Sequence, residues 1–249
     1  MKVHAIKTEK ITPGLISLFE LLDKYITEFS EKSILAITSK VISICEDRVV
    51  PVKDSDKDEL VKKEADLYLP KEENKYGVYL TIKDSQLVAT AGIDESNGVG
   101  YYILWPANPQ KSANQIREYL TKRFNLKKTG VLITDSKTTP LRWGTSGVAV
   151  AHSGFRALKN YIGTEDLFGR KLKMTKASVI DGLAAAAVFE MGEGSEQTPL
   201  AVISDIPQVE FVDRNPTEEE LKELEISIED DLYGSILKRA PWKRGKNKT

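Results

Sequence analysis

Three acidic residues that each follow an apolar segment and lie within two residues of glycine or serine are the strongest indication of chemistry in this chain. They are Asp94, Asp135 and Glu193. Two carboxylates about 4 Å apart repel each other by roughly 4 kcal/mol at an effective dielectric near 20, so a cluster of them needs a cation. Oxygen ligands without histidine select Mg²⁺ or Mn²⁺, which keep open positions for phosphate. Phosphoryl transfer or nucleotide-driven bond formation suits such a set, if the three residues are neighbours.

Asp135 lies where an apolar run ends and a polar segment with Lys137 and Arg142 begins. A second β-prone run follows that segment, so the pattern predicts a strand, a loop and a strand. Strand ends are where rigid scaffolds commonly present catalytic groups. Asp-Ser is also ordinary turn sequence, and the alternative that Asp135 is only a turn residue stays open at this point.

Candidate phosphate donors lie near the same kind of strand end. Ser39 and Lys40 follow a buried strand predicted over residues 33–38, and we expect Ser39 to cap a short helix. A helix N-terminus attracts anions through its unpaired N–H groups and its dipole. A plain N-cap is the commoner role of such a serine. Lys137 and Arg142 are further candidate donors.

Composition narrows the class of partner. The 249 residues carry 36 Lys plus Arg and 37 Asp plus Glu, a net charge of −1, so no global field favours nucleic acid or an anionic membrane. One cysteine, Cys45, and two histidines make a disulfide framework and a Cys- or His-based metal site poor expectations. The N-terminus has no apolar leader and no run is long enough to span a membrane. We therefore expect a cytoplasmic protein with a small-molecule substrate.

Common catalytic motifs are absent from the sequence. There is no phosphate-binding Gly-x-x-x-x-Gly-Lys-Ser/Thr loop, no Gly-x-Ser-x-Gly elbow and no His-Glu-x-x-His. Cys45 has no histidine nearby in the sequence, which disfavours a nucleophilic role. His152 stands in an alternating apolar run, so we expect a packed histidine rather than a base.

The elements that must position these residues interleave strands and helices without strict alternation, which predicts a mixed α/β (α+β) fold with one lobe or two sharing a sheet system. Apolar spacing predicts helices over residues 15–29, 111–124 and 178–191, and a hairpin whose strands, 77–83 and 86–92, turn at Asp84-Ser85. We expect residues 1–206 to form the core. Residues 207–237 are then a helical segment of the same domain, and residues 238–249 a disordered basic tail.

Five motifs in order resemble the γ-glutamyl ligases of the deazaflavin coenzyme F420, the family that adds glutamate to the 0-form of that coenzyme. Over most of the chain, roughly residues 3–206, these are Thr-Ala-Gly-Ile-Asp-Glu-Ser-Asn (90–97), Ile-Thr-Asp-Ser (133–136), Arg-x-Gly-x-x-Gly (142–147), Asp-Leu-Phe-Gly-Arg (166–170) and Met-Gly-Glu-Gly (191–194). The resemblance implies a two-lobed, mixed-sheet protein that forms an intertwined homodimer. It also implies a GTP- or ATP-driven reaction with two Mg²⁺ or Mn²⁺ ions, and whether a third, monovalent cation takes part stays open.

The resemblance also implies a role for each matching residue. Asp94 and Asp135 resemble ligands of one metal ion, and Ser136 and Glu193 resemble ligands of the second. Asp135 and Arg142 form the catalytic set that we expect. The expected nucleotide contacts are Ser39, Lys40, Asn97, Met191, Gly192, Gly194, Ser195 and Thr198. The implied reaction transfers the nucleotide γ-phosphate to a substrate carboxylate, and L-glutamate then attacks the acyl phosphate.

Two departures from the family pattern affect the expected nucleotide contact and the recognition of the acceptor. A lysine expected shortly after Lys40 is Ile44, and an expected Asn-Gly-Arg is Lys-Thr-Thr at 137–139. Residues 138–144 and 196–199 are more similar to a bacterial branch described as folate-metabolism γ-glutamate ligases. The acceptor is therefore F420-0-like or folate-like. The alternatives are a metal-dependent nucleotide phosphohydrolase and a nucleotide-binding regulatory protein without turnover.

Overall fold

Strands and helices alternate irregularly in the computed structural model of the chain, which describes residues 1–246. The strands are β1 (Lys2–Ile6), β2 (Ile34–Thr38), β3 (Val49–Pro51), β4 (Leu67–Leu69), β5 (Leu80–Lys83), β6 (Gln86–Ala89), β7 (Tyr101–Ile103), β8 (Gly130–Thr138), β9 (Thr145–Ser153), β10 (Leu158–Asn160), β11 (Lys176–Ser178), β12 (Leu200–Ser204) and β13 (Lys243–Arg244). The α-helices are α1 (Leu18–Tyr25), α2 (Ser39–Cys45), α3 (Lys57–Glu64), α4 (Pro109–Phe124), α5 (Val179–Met191), α6 (Glu218–Lys222) and α7 (Gly234–Leu237). The mixed α/β (α+β) class predicted from the sequence is confirmed. Within residues 1–246, no helix has the length and apolar character that a membrane span requires.

A five-stranded sheet in the order β1-β12-β2-β8-β9 is the largest sheet of the structure. The central pair, β2 and β8, runs parallel with Thr38 opposite Thr134, and the other neighbours run antiparallel. Parallel strands end at the same edge of a sheet. Ser39 and Asp135, each one residue beyond this pair, therefore lie next to each other at that edge.

Both faces of this sheet are covered, which explains the continuous apolar sequence of β2. Leu35 and Ile37 pack with α1, α2 and α4 on one face, and Ile34 and Ala36 pack with α5 on the other. All four side chains are fully buried. Since burial of a large aliphatic side chain contributes about 1.5–3 kcal/mol, the two apolar clusters hold the strand ends in place.

The predicted helices occur as α1, α4 and α5, and the first is shorter than predicted. A capping box of Ser17 and Glu20 begins α1, which ends at Tyr25. Ile26 and Phe29 are buried but come from the coil that follows. Their helical spacing is therefore a property of packing against the same apolar cluster and not of a longer helix.

A smaller sheet in the order β13-β4-β5-β6 lies beside the first, with β3 and β7 as a separate pair. A third apolar cluster, which includes Ala91, Ile93 and Leu104, fills this region. The predicted hairpin is confirmed as β5 and β6. Its two turn residues, Asp84 and Ser85, both have positive φ (47° and 59°), the conformation of a type I′ turn.

The C-terminal segment differs from the prediction of a disordered tail from residue 238 onward. Lys243 pairs with Tyr68 of β4, and the Gly245 N–H donates to the Asp66 carbonyl at 2.9 Å. These bonds satisfy backbone groups of β4 that would otherwise form a bare sheet edge. Residues 238–246 are therefore structured, and residues 247–249 of the predicted tail lie outside the described residues.

Candidate active site

A cavity of about 530 Å³ opens at the sheet edge where β2 and the parallel part of β8 end. The start of α2, the loop after Asp94, the end of β8 and the segment that follows α5 form its wall. Twelve of the thirteen residues predicted for the site line it: Ser39, Lys40, Asp94, Asn97, Asp135, Ser136, Met191, Gly192, Glu193, Gly194, Ser195 and Thr198. The fold therefore brings together groups that are far apart in the sequence.

Asp135 is half-buried and held from two sides. The Trp105 indole N–H donates to its Oδ2 at 2.5 Å, and the Ser136 backbone N–H donates to its Oδ1 at 2.8 Å. Burial raises the pKa of Asp135 to about 6, and the charge of Asp94 also raises it, although the two hydrogen bonds and Lys40 act in the opposite direction. A register shift between β8 and β9 just before this residue disrupts the ladder, as bulges often do beside functional sites.

Asp94 enters the cavity from the smaller sheet region. Its backbone exchanges hydrogen bonds with Ile103 at 2.7 and 2.9 Å, and its carboxylate forms an ion pair of 2.6 Å with Lys40. Ser96 adds a backbone N–H at 2.7 Å and a hydroxyl at 3.0 Å. Burial opposes ionisation of Asp94, but Lys40 and Ser96 outweigh it and lower the pKa of the carboxyl below its ordinary value. Asp94 is therefore a carboxylate near neutral pH.

Glu193 lies beyond the end of α5, where Gly192 adopts a φ of 78°. The Ser136 hydroxyl donates to the Glu193 carboxylate, with distances of 2.8 and 3.0 Å to its two oxygens. The Thr145 hydroxyl donates to Oε1 at 3.3 Å. The two residues that the resemblance assigns to a second ion are thus direct neighbours.

Four of the eight residues predicted to bind nucleotide are joined by hydrogen bonds. The Asn97 side-chain amide donates to the Gly194 carbonyl at 3.1 Å, and the Thr198 hydroxyl donates to the Met191 carbonyl. Ser39 is buried as the first residue of α2, but the cap of this helix is Thr38, whose hydroxyl accepts from the backbone of the third helical residue. The expectation that Ser39 is the cap is therefore wrong by one residue.

Arg142 lies apart from the other predicted site residues. It occupies the exposed turn between β8 and β9 and is not among the residues that line the cavity. Leu141 and Trp143 beside it are also exposed, at 108% and 90%. The role of Arg142 in the catalytic set remains a prediction.

Several residues in or beside the site were not predicted from the sequence. Trp105 stands in an apolar run and resembles any core aromatic residue. Residues 8–12 also line the cavity, where the Thr8 N–H donates to the Gln197 carbonyl at 2.8 Å. These mostly polar residues begin two positions after the end of β1. Their position at the end of a strand is the signal that could have indicated them.

The donor set fits a hard divalent cation in type, because it consists of carboxylate and hydroxyl oxygens. Within residues 1–246, no three His, Cys, Asp or Glu side chains are close enough together to hold one ion. The three carboxylates therefore do not form a single cluster. The Ser136 hydroxyl contacts the Glu193 carboxylate, and the charge of Asp94 acts on Asp135, so the three carboxylates line one cavity without forming one cluster.

Neither the cysteine nor the buried histidine has the properties of a catalytic group. Burial, with the negative charges of Glu46 and Asp47, raises the pKa of Cys45 to about 11. Burial lowers the pKa of His152 to about 4. At neutral pH the first is a thiol and the second a neutral ring that contacts Phe155 edge-on. Both belong to the packing of the fold.

Known proteins match this chain over most of its length. A family model described as F420-0:Gamma-glutamyl ligase matches residues 5–205. The coenzyme F420:L-glutamate ligase of Methanococcus maripaludis (strain C6) is 36% identical over 207 residues, 77% of this chain and 82% of the relative. The enzyme of that name from Methanocaldococcus jannaschii is 35% identical over 205 residues, 76% and 80% of the two chains. The one from Archaeoglobus fulgidus is 31% identical over 237 residues, 89% and 92%. The matched range contains every element that forms the cavity, and this chain belongs to the F420-0:gamma-glutamyl ligase family.

Proposed function

We propose that this chain is a metal-dependent, nucleotide-driven γ-glutamyl ligase that joins L-glutamate to a carboxylate of a cofactor, F420-0-like or folate-like. The names of its relatives support glutamate ligation to coenzyme F420. The observation that carries the proposal is the convergence of Asp94, Asp135 and Glu193, from three separate parts of the chain, on one cavity. A catalytic machinery built of oxygen donors and one lysine suits phosphoryl transfer.

The proposed reaction has two displacements. A carboxylate oxygen of the acceptor attacks the γ-phosphorus of GTP or ATP, the bond to the β-phosphate oxygen breaks, and the nucleoside diphosphate leaves. The amine nitrogen of L-glutamate then attacks the acyl carbon of the acyl phosphate, loses a proton, and displaces inorganic phosphate. The acyl phosphate is needed because a carboxylate is otherwise a poor acceptor for an amine.

In this proposal the chain supplies position and charge. Asp94 and Asp135 would hold one divalent ion, and Ser136 and Glu193 a second. When bound, Mg²⁺ or Mn²⁺ neutralises charge on the transferring phosphoryl group. Lys40 already provides a positive charge at the cavity wall, 2.6 Å from Asp94, and is placed to meet a phosphate oxygen. Such fixed charges contribute to the rate because they need no reorganisation during the reaction.

The acceptor is the least constrained part of the proposal. Ile44, where the resemblance leads us to expect lysine, is a buried apolar residue in the cavity wall. The β8–β9 turn with residues 137–143 is exposed and differs from the family pattern. We propose that this turn, including Arg142, contacts the acceptor and decides between an F420-0-like and a folate-like substrate.

We also propose that two copies form a homodimer, as the resemblance implies. The exposed apolar side chains of Leu141, Trp143, Leu167 and Phe168 support this, because apolar patches on a surface commonly mark an interface. Light scattering at micromolar concentration should give twice the mass of 27.8 kDa. A Trp143→Ser variant should shift the mass toward that of one chain.

One assay separates the proposal from its alternatives. Each acceptor is incubated with Mn²⁺, L-glutamate and GTP or ATP, and both nucleoside diphosphate and glutamylated product are measured. Release of diphosphate that depends on acceptor and yields product supports the ligase. Release that needs neither acceptor nor glutamate indicates the phosphohydrolase, and nucleotide binding without turnover indicates the regulatory protein. Absence of acceptor-dependent release with every pair refutes the proposal.

A further inference from the structure

Trp105 donates a side-chain hydrogen bond to Asp135, the carboxylate of the expected catalytic set. It follows β7, is only 1% exposed, and donates its indole N–H to Asp135 Oδ2 at 2.5 Å. Leu104, the residue before it, is fixed by a backbone hydrogen bond of 3.2 Å to the Arg48 carbonyl. A buried, anchored side chain is therefore bonded to a group that lines an open cavity.

The hydrogen bonds of Asp135 leave part of its carboxylate free. A carboxylate has about four acceptor positions. Trp105 occupies one on Oδ2 and the Ser136 N–H occupies one on Oδ1. With one oxygen held from each side, the plane of the carboxylate cannot rotate, and its remaining lone pairs are available to the cavity.

Gly92 holds the indole from the side of Asp94. A Cβ atom at this glycine, which has a φ of 72°, would lie 2.1 Å from Trp105 Nε1, so only glycine allows the backbone to pass so close. Gly92 stands two residues before Asp94 in the chain. The loop that carries one carboxylate therefore presses on the side chain that orients the other.

A buried ion network supports the face of the same ring. The Lys83 ammonium lies 5.7 Å from the Trp105 ring centroid, within the range of a cation–π contact. Lys83 is itself buried and forms an ion pair of 2.7 Å with Glu64, which also binds Arg48 at 2.7 Å. The position of the indole is thus fixed by its edge at Gly92 and by its face at Lys83.

We propose that Trp105 is a positioning residue for Asp135, whose indole N–H orients the carboxylate so that its free lone pairs face a divalent cation in the cavity. The inference rests on the proposed function, in which Asp135 binds such an ion. A partner that orients a metal ligand typically contributes 10- to 100-fold to metal affinity or activity, so the effect of losing it is measurable.

Trp105→Phe tests the proposal because it removes the N–H donor and keeps an aromatic ring in the pocket. The dissociation constant for Mn²⁺, measured from the electron paramagnetic resonance of the free ion, should rise about 10- to 100-fold. The matched control is Trp242→Phe, which removes an indole N–H that donates to the Leu237 carbonyl at 2.7 Å, outside the cavity. It should bind Mn²⁺ as the parent does. Turnover by Trp105→Phe should show a lower kcat with an unchanged KM for L-glutamate.

A second measurement does not require the Trp105 variant to fold. The chain has three tryptophans, and the double variant Trp143→Phe, Trp242→Phe leaves Trp105 as the sole indole. Paramagnetic Mn²⁺ on Asp135 should quench its fluorescence saturably, with the dissociation constant of the resonance titration, and Mg²⁺ should reverse the quenching.

The outcomes distinguish a failure of the proposed metal-dependent function from a failure of the positioning role of Trp105. If the parent binds no Mn²⁺, the proposed metal-dependent function fails and the inference fails with it. If the parent binds Mn²⁺ but Trp105→Phe binds it equally well, the positioning role is refuted and the proposed function stands. If the parent binds Mn²⁺ but Trp105 emission does not change, the ion is not on Asp135, and both the positioning role and the assignment of Asp135 as a ligand are refuted.

Discussion

Replacing Asp135 by asparagine should make the metal-free protein more stable while it abolishes the proposed activity. Burial raises the pKa of this carboxyl from 3.8 to about 6. At 1.36 kcal/mol per pKa unit, ionising Asp135 in the folded protein costs about 3 kcal/mol at pH 7.5. The side chain is half-buried, so solvent screens only part of this cost. Asparagine is uncharged and avoids it.

A lost hydrogen bond offsets part of the stability that Asp135→Asn gains. The carboxylate accepts from two N–H groups, those of Trp105 and Ser136, one on each oxygen. An amide has one acceptor oxygen, so one of these donors loses its partner, which costs about 1–2 kcal/mol. The net stabilisation is about 1–2 kcal/mol. For a chain of this size, that corresponds to a rise in Tm of roughly 2–8 °C.

Thermal unfolding in the presence of EDTA measures this difference, and pH supplies the internal check. The pKa of Asp135 is higher in the folded than in the unfolded protein, so the destabilisation is complete at pH 7.5. It decreases as the pH falls through about 6 and is absent below about 3.8. The stability advantage of Asp135→Asn should therefore vanish between pH 7.5 and pH 4. Asp54→Asn, the same change at an exposed position, should alter stability by less than about 0.5 kcal/mol at every pH.

In saturating Mn²⁺, the parent should be more stable to heat than Asp135→Asn, the reverse of their order in EDTA. The parent gains about 2.7 kcal/mol when the free ion is at 100 times its dissociation constant, and the variant lacks this gain. A melting temperature of Asp135→Asn at or below that of the parent, in EDTA at pH 7.5, would contradict the predicted cost of ionising Asp135. A difference in melting temperature that does not shrink with falling pH would also contradict it.

Two further predictions concern the sheet that carries Asp135. Gly147→Ala in β9 should lower the free energy of unfolding in urea by about 1–3 kcal/mol, because its Cβ would lie 2.3 Å from the Ala184 carbonyl of α5. Gly182→Ala in α5, where the Cβ meets nothing within 4 Å, should instead raise it by up to about 1 kcal/mol; equal effects would contradict the packing argument. Burial lowers the pKa of His152 from 6.5 to about 4 in the folded protein, so above pH 6.5 the ring is neutral in both states and does not oppose folding. As the pH falls from 6.5 toward 4, the unfolded chain binds a proton that the folded protein does not, and the free energy of unfolding decreases. The stability of the parent relative to His152→Gln should therefore fall by about 3 kcal/mol between pH 7 and pH 4, and a flat difference would refute it.

The acidic site residues were predictable because each marks the end of an element. Asp135 directly follows the parallel part of β8, Asp94 follows the β5–β6 hairpin, and Glu193 follows α5. Runs of apolar residues that break into Gly, Ser and Asp are local patterns, and local patterns are present in the sequence. Local patterns carry no distances between elements, so they could not show that the three carboxylates line one cavity without forming a single cluster.

The parts that the sequence does not reveal depend on contacts between distant residues. The ion pair of Lys40 with Asp94 and the bond of Trp105 to Asp135 each join elements that no periodicity relates. The pairing of Lys243 with Tyr68 has the same origin: a short basic segment has no apolar pattern, and the bare edge of β4 is visible only in the fold. Thr38 and Ser39 differ as caps only by one residue, which is within the usual uncertainty of a helix boundary.

The site lies where two apolar clusters meet. This position explains why the Asp135 carboxylate is shielded from water on one side and open to the cavity on the other. Asp135 comes from the large sheet, whereas Asp94 and Trp105 come from the smaller region around Ile93 and Leu104. Side chains from both regions exclude water from Asp135, which raises its pKa, while the cavity leaves one side of its carboxylate open. The packing free energy of both clusters offsets the free-energy cost of burying this charge. A substitution that loosens either cluster should therefore reduce the affinity for the proposed divalent cation before it unfolds the chain, because the geometry of the carboxylate depends on both clusters.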